Sequence, residues 1–205
     1  LYWYPKIKDL EIPMPRTEIV EIPYKVLYAF MDNIRALESY EDKIKKAYES
    51  IGFPLFLRTD HASAKHDWKA SCYVDERRNL GSHIYKVLEF NFMVDIMGLQ
   101  PQALIFREFI ELDWKFKAFY GEMPVAKERR YFIKDGKVLC YHPYWVEESI
   151  QEWLDSMTAI FELVSGDKDT PEKRLTELEY LPSNCKDVLK ELNTETEEEI
   201  QILTG

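Results

Sequence analysis

The stretch Leu104-Ile105-Phe106-Arg107-Glu108-Phe109-Ile110-Glu111, followed by Glu128-Arg129-Arg130-Tyr131-Phe132-Ile133-Lys134-Asp135-Gly136-Lys137-Val138, sets the reading of this chain. Leu104 to Ile110 is rich in apolar and aromatic residues of strand type and carries its charges toward its C-terminal end. The second stretch holds two apolar runs, Tyr131-Phe132-Ile133 and Val138-Leu139 with Tyr141, separated by Asp135-Gly136. Asp-Gly tolerates the left-handed backbone of a tight hairpin turn, so an antiparallel pair is expected there. Strand alternation then places Arg129 and Arg130 on opposite faces.

Outward from this centre, Leu55 to Thr59 and Ser71 to Val74 read as strands joined across the polar segment Asp60 to Lys69. Met31 to Ser50 carries Ile34, Leu37, Tyr40, Ile44, Ala47 and Tyr48 at helical spacing and is closed by Gly52 and Pro54, so one amphipathic helix is expected. Asn79 to Gly98 reads as a second helix ending on glycine. The opening stretch holds Pro5, Pro13, Pro15 and Pro23, which favour extended connectors over helix. Val146 to Leu163 reads as a further helix, and Glu195 to Glu199 as a solvated acidic face. Strands mixed with packed helices around an antiparallel hairpin define an α+β fold.

The bulk properties narrow the functional classes. The chain has 205 residues, is 46% hydrophobic and 14% aromatic, and carries a formal charge of −10. That charge disfavours a nucleic-acid binder held by broad phosphate neutralisation. Cys72, Cys140 and Cys185 fit neither a disulfide framework nor a thiolate zinc site and read as reduced, buried thiols. No apolar run spans a bilayer and no signal peptide opens the chain. The expectation is a soluble, cytoplasmic protein with no membrane partner.

The Arg107 to Glu111 and Glu128 to Val138 stretches resemble the ATP-grasp family, in which an Arg-Glu-Phe-Ile type segment forms a hinge and a later strand carries an acidic residue, Arg and an apolar pair. The intervening Gly121-Glu122-Met123-Pro124 and the following His142-Pro143-Tyr144-Trp145 are similar to a divergent clade that includes cell-division-cycle translation-assembly factors and phage-type relatives. The resemblance covers about residues 50 to 145. It implies two lobes with mixed or antiparallel sheets and a nucleotide cleft between them. Residues 1–50 would be lead-in strands and helix, 51–105 the N-lobe, and 106–205 the C-lobe with a helical insertion, incomplete at its C-terminus.

The resemblance also implies roles. Adenine is expected on the hinge backbone from Phe109 through Ile110 to Glu111, with Glu108 or Glu111 as alternative acceptors for its amine or for ribose hydroxyls. Arg58 stands where the family has a cation on the α-phosphate. Lys65, in Asp60-His61-Ala62-Ser63-Ala64-Lys65-His66-Asp67-Trp68, stands at the place of the flexible phosphate-covering loop. Arg130 would neutralise charge on the transferred phosphoryl group, with Glu128 orienting it. The ligands expected are ATP and Mg2+, with a peptide, a protein or a small amino or carboxylate compound as substrate. The magnesium ligands are unassigned, because no acidic strand pair follows Trp145: either they stand on strands beyond Gly205, the favoured expectation, or the protein binds nucleotide without the usual chemistry.

Plainer readings stand beside these. Glu128, Arg129 and Arg130 also suit an exposed charge cluster on an edge strand, and Arg58 a surface ion pair. Asp60, His61, His66 and Asp67 have metal-ligand chemistry but no established ligand spacing. His142 suits a general base or a hydrogen-bonded structural residue. Trp114, Phe116, Phe119 and Tyr120 suit ordinary packing or a substrate surface. Three functions follow: an ATP-dependent carboxylate-amine ligase working through an acylphosphate, an ATP-binding assembly factor without turnover, and a nucleic-acid ligase using a nucleotidylated Lys65.

Overall fold

The computed structural model describes residues 4–94, 98, 100–118, 123–135 and 137–145. The chain divides into two compact units, Leu1–Glu111 and Leu112–Gly205. The described part contains helices and antiparallel sheets, an α+β composition.

Unit 1 is built on four strands, β1 (Thr17–Glu21), β2 (Leu55–Thr59), β3 (Tyr73–Val74) and β4 (Ala103–Glu108), ordered β1-β4-β2-β3. Every neighbouring pair is antiparallel, with Ile19 opposite Ile105, Ile105 opposite Arg58, and Phe56 opposite Tyr73. The expected pairing of Leu55 to Thr59 with Ser71 to Val74 is therefore present, shortened to two residues of β3. Alternation sorts the side chains. Val20, Leu55, Leu57, Val74, Leu104 and Phe106 face the core with helices α3 (Glu41–Ile51) and α4 (Leu80–Val94), which bring Ile44, Tyr48, Ile84, Val87 and Leu88 against them. Each such side chain, fully buried, stabilises the fold by about 1.5–3 kcal/mol.

The single helix expected over Met31 to Ser50 is instead broken. Helix α2 (Tyr24–Phe30) precedes a 3-10 segment at Ile34–Tyr40, and α3 starts at Glu41. The spacing explains the break. Ile34, Leu37 and Tyr40 recur every third residue, the period of a 3-10 helix, whereas Ile44, Ala47, Tyr48 and Ile51 recur at the α-helical period. Asn33 opens the 3-10 segment, its side chain accepting from the Arg35 amide at 3.1 Å. Gly52, at φ +85°, closes α3 and donates its amide to the Tyr48 carbonyl. The opening stretch, expected as extended, also holds one helical turn, α1 (Tyr4–Ile7), where Pro5 sits early enough to need no amide partner.

Unit 2 contains two hairpin ladders among the described residues. Strand β5 (Trp114–Ala118) pairs with β6 (Met123–Ala126), and β7 (Arg129–Lys134) with β8 (Lys137–Pro143), both antiparallel. The hairpin expected at Asp135-Gly136 forms where expected, with Asp135 at φ +52°. Phe116, Met123 and Val125 are buried in the first ladder, so Phe116 packs as an ordinary core residue. The helix expected over Val146 to Leu163, and the acidic run after it, lie outside the described residues.

Candidate functional site

Helices cover one face of the unit 1 sheet, and the chemistry gathers on the other. Strand β2 alternates buried and half-buried residues, so Phe56 and Arg58 point away from the helices while Leu55, Leu57 and Thr59 point into them. On β4 the same face carries Arg107 and Ile105, because Arg107 stands opposite both Thr17 and Phe56. Arg58 and Arg107 thus sit on adjacent strands, two residues apart in register, a diagonal of about 7–8 Å at the backbone that long side chains easily bridge. They line one small cavity of about 50 Å³ together with Tyr4, Thr17, Ile19, Asp60 and Ile105.

The electrostatics of this cavity are cationic. Arg58 donates through Nε to the Thr59 carbonyl at 2.9 Å. Burial pushes the Arg107 guanidinium below its ordinary value, with nearby Tyr4 acting the other way. Asp60 is the one carboxylate among the lining residues, and its side chain is only 5% exposed. Both of its oxygens accept from the Gln102 amide, at 3.1 and 3.3 Å, and His61 Nε2 lies 3.6 Å away. The lining therefore holds two guanidinium groups and one carboxylate already engaged with backbone.

On the same face an aromatic group lies beside the cations. Phe56 and Trp68 have ring centroids 5.7 Å apart, Trp68 and Tyr73 stack at 5.9 Å and 14°, and Phe109 meets Tyr73 edge-on at 5.0 Å. Phe109 is the first residue past β4, so the expected hinge begins with its ring seated in this group. Ile110 is exposed, and Glu111 is the last residue of unit 1. Such pairs stabilise by about 0.5–1.5 kcal/mol beyond burial, which holds the wall in place without a ligand.

Glu108 has a different setting from its neighbours. It stands opposite Leu55 in the sheet, on the face away from Arg107, and its carboxylate pairs with Arg16 at 3.2 Å. Arg16 also donates to the carbonyls of Ser50 and Ile51, at 3.0 and 3.1 Å, closing the C-terminal end of α3 where a cation is favoured. Hydrogen bonds from the Arg16 side chain and amide hold the Glu108 carboxyl below the usual range.

The segment bearing Lys65 is tightly knit. Thr59 Oγ1 accepts from the amides of His61 and Ala62, at 3.1 and 2.8 Å, and lies 2.5 Å from Asn91 Oδ1 on α4. Ala62 and Ala64 are buried, and Ser71 Oγ donates to the Ala64 carbonyl at 2.7 Å. No glycine supplies the turn; Ala64 itself takes the left-handed conformation at φ +50°. Lys65 follows on a 3-10 turn, Lys65–Asp67, and is not among the residues lining the Arg58 cavity. The thiol of Cys72, beneath this segment, is pushed up to about 12 by burial and is unreactive. Cys140, expected buried, is exposed instead, and Cys185 lies outside the described residues.

In unit 2, the residues around the β7–β8 hairpin close on each other. Glu128 accepts from Trp145 Nε1 at 3.0 Å, and its carbonyl accepts from the Tyr144 amide at 2.9 Å. The Arg130 guanidinium lies 4.4 Å from the centre of the Tyr144 ring, and Tyr144 meets Trp145 edge-on at 5.0 Å. Arg130 and Phe132 share one face and Arg129 the other, as alternation requires. His142 pairs with Arg130 in register, and its Nδ1 lies 2.6 Å from the Pro143 carbonyl, a local structural bond. A cation over a ring gains about 0.5–1 kcal/mol at exposed sites and more where it is desolvated.

The structure thus brings Arg58 and Phe109 to one face of unit 1 and Glu128 and Arg130 to one end of a hairpin in unit 2, and sends Glu108 to a structural pair. Sequence alone does not single out Arg107, Trp68 and Tyr73; strand register places Arg107 and Tyr73 on the Arg58 face, and Trp68 joins them through its ring contacts with Phe56 and Tyr73. Among the described residues no group of three or more His, Cys, Asp or Glu can hold a metal ion, so Asp60, His61, His66 and Asp67 do not form one. No described helix is long and apolar enough to cross a membrane.

Unit 1 therefore gathers two cations and an aromatic wall on one sheet face, where β4 ends. The chain belongs to the ATP-grasp domains, in the third family of one of their clades, whose family model matches residues 48–173. That span includes the Arg58 strand, the Lys65 segment, residues Phe109 to Glu111 and the Glu128/Arg130 hairpin. No match was found among curated proteins or among solved structures.

Proposed function

We propose that the chain binds ATP and acts as an ATP-dependent carboxylate-amine ligase. The observation that supports this reading best is the family match over residues 48–173, coinciding with a sheet face on which Arg58 stands beside the Phe56, Trp68, Tyr73 and Phe109 rings. In this reading residues 51–105 serve as the N-lobe and 106–205 as the C-lobe, with ATP in a cleft formed from both. The support for that two-lobed cleft is family membership.

Each side chain then has a task. The aromatic wall takes the adenine, and the backbone of Phe109 to Glu111 supplies its hydrogen bonds, since Glu108 is held by Arg16. Arg58 takes the α-phosphate, and Lys65 adds positive charge over the phosphates. Arg130 neutralises the transferred phosphoryl group, with Glu128 held by Trp145 on the same hairpin end. A substrate carboxylate oxygen attacks the γ-phosphorus and ADP leaves; an amine then attacks the acyl carbon, inorganic phosphate leaves with its bonding electrons, and the amine loses a proton. Catalysis rests on positioning and charge neutralisation. Magnesium, when bound, would neutralise phosphate charge; among the described residues no group of three or more His, Cys, Asp or Glu could hold it.

The test is a thermal-shift titration of the full chain with ATP and magnesium. Saturating ATP at 100 times its Kd stabilises by about 2.7 kcal/mol, a readily measured rise. Release of ADP and phosphate on addition of an amine supports the ligase; ATP binding without turnover leaves an assembly factor, and AMP linked to Lys65 leaves the nucleic-acid ligase. Arg130→Ala is expected to remove turnover while the protein stays folded, and undiminished turnover takes Arg130 out of the site.

A further inference from the structure

We propose that Arg107 is a second phosphate-binding cation, forming with Arg58 a site for one phosphate group of the nucleotide that the lead-in residues Tyr4 and Thr17 wall off. This rests on the ATP-binding reading above and extends it to a residue and a chain segment outside the roles assigned there. Tyr4, Thr17 and Ile19 all precede the residues matched by the family model.

The first support is an imbalance. A guanidinium half-buried on a sheet face is normally paired, because an uncompensated charge out of water is costly. Among the described residues no carboxylate forms an ion pair with Arg107 and no acceptor takes a hydrogen bond from it, while Arg58 stands on the neighbouring strand in the same cavity. Asp60, the one carboxylate in the lining, is itself committed to the Gln102 amide. The lining charges sum to a net positive in a low-dielectric recess, and burial already pushes the Arg107 guanidinium down. An arriving anion relieves that cost.

Size and surroundings name the anion. At about 10–15 Å³ per water, a cavity of about 50 Å³ holds about four waters, the size class of one phosphate group and too small for a nucleoside. The walls are fixed: Tyr4 donates its hydroxyl to the Thr17 carbonyl at 3.2 Å, and Thr17 donates to the Pro15 carbonyl at 2.9 Å. Phe56 stands opposite Arg107 and begins the aromatic group that continues to Phe109. A phosphate on the arginines and a base on the rings would share one sheet face, which fits a nucleotide better than a free anion. Two forked guanidinium groups also suit the several oxygens of one phosphate.

Isothermal titration of the full chain with ATP, adenosine and inorganic pyrophosphate, on wild type, Arg107→Gln and Arg107→Lys, tests this. Loss of a charged contact to phosphate is expected to weaken ATP binding by at least about tenfold in Arg107→Gln, and by less in Arg107→Lys, which keeps the charge but not the fork. Adenosine affinity stays within about twofold, and the ligand-free melting temperature is unchanged or higher, because a cation without an ion-pair partner has been removed. If Arg107→Gln does not fold, the Arg107→Lys comparison carries the test. Arg107 variants that bind ATP as tightly as wild type overturn the inference and leave the ATP-binding reading standing. Equal losses for ATP and adenosine overturn it in favour of a structural role. Wild type that binds no ATP, whether or not it takes pyrophosphate, overturns both.

Discussion

The sheet of unit 1 and the β7–β8 hairpin of unit 2 present their charged residues by opposite means. Arg58 and Arg107 come from strands far apart in sequence and meet only because β2 and β4 pair in one register. Glu128, Arg130, Tyr144 and Trp145 come from one hairpin and its flanks, and they meet because the turn folds the chain back on itself. A one-residue slip of β4 would send Arg107 into the core and Phe106 to the open face. The hairpin has no comparable safeguard, since its strand residues from Arg130 to Lys134 are exposed on both faces. Site geometry in unit 1 is therefore tied to core packing, and in unit 2 to local side-chain contacts.

The largest effect that separates the two mechanisms should come from Phe106→Ala. Phe106 is fully buried, packs in the core with the α3 and α4 residues, and stands between Glu18 and Leu57 in the sheet. Removing its ring costs about 3–5 kcal/mol through lost burial and the cavity left behind. Chemical denaturation should show that loss, and amide exchange should locate it in β1, β2 and β4. A loss under about 1 kcal/mol would mean that the register is held by something other than the core face.

An intermediate effect is expected in unit 2. Trp145→Phe keeps the aromatic contact to Tyr144 but deletes the indole N–H that Glu128 accepts at 3.0 Å. Both residues are part-buried, so the cost is about 1 kcal/mol. Faster amide exchange at Tyr144, whose N–H donates to the Glu128 carbonyl, is the specific sign. Unchanged exchange there would show that the hairpin ladder alone sets the position of Glu128.

The same contrast decides what could be read from sequence. The hairpin was legible because Asp135-Gly136 and the two apolar runs are local signals, and Arg129/Arg130 alternation follows from strand geometry alone. Leu55 to Thr59, Ala103 to Glu108 and α4 were legible as elements for the same reason. Their partnership was not, because pairing β4 between β1 and β2 depends on packing summed over the whole core. Arg107 stands in the hinge motif, Trp68 in the Lys65 segment and Tyr73 in a short strand, and nothing local in the sequence brings the three together. The 3-10 segment at Ile34–Tyr40 was hidden in an apolar pattern that two helical periods fit almost equally over seven residues. The Glu108 pair with Arg16 spans most of unit 1 and leaves no trace in local sequence.

Glu108 supplies the smallest effect and a test of which region it belongs to. Its folded pKa lies below the ordinary glutamate value of 4.5, chiefly through the Arg16 side-chain hydrogen bond. A carboxyl with a depressed folded pKa binds fewer protons when folded, so its contribution is present above the unfolded value and is lost as pH falls through the folded one. Glu108→Gln should leave the neutral-pH melting temperature within a degree or so, because the pair is exposed and screened. It should flatten the acid limb of the stability profile below about pH 4.5, where wild type loses this contribution. High salt should shrink the difference between the two proteins. If Glu108→Gln instead weakens ATP binding several-fold with no change in the acid limb, the carboxylate acts at the hinge, and the Arg16 pair would have to open when nucleotide binds.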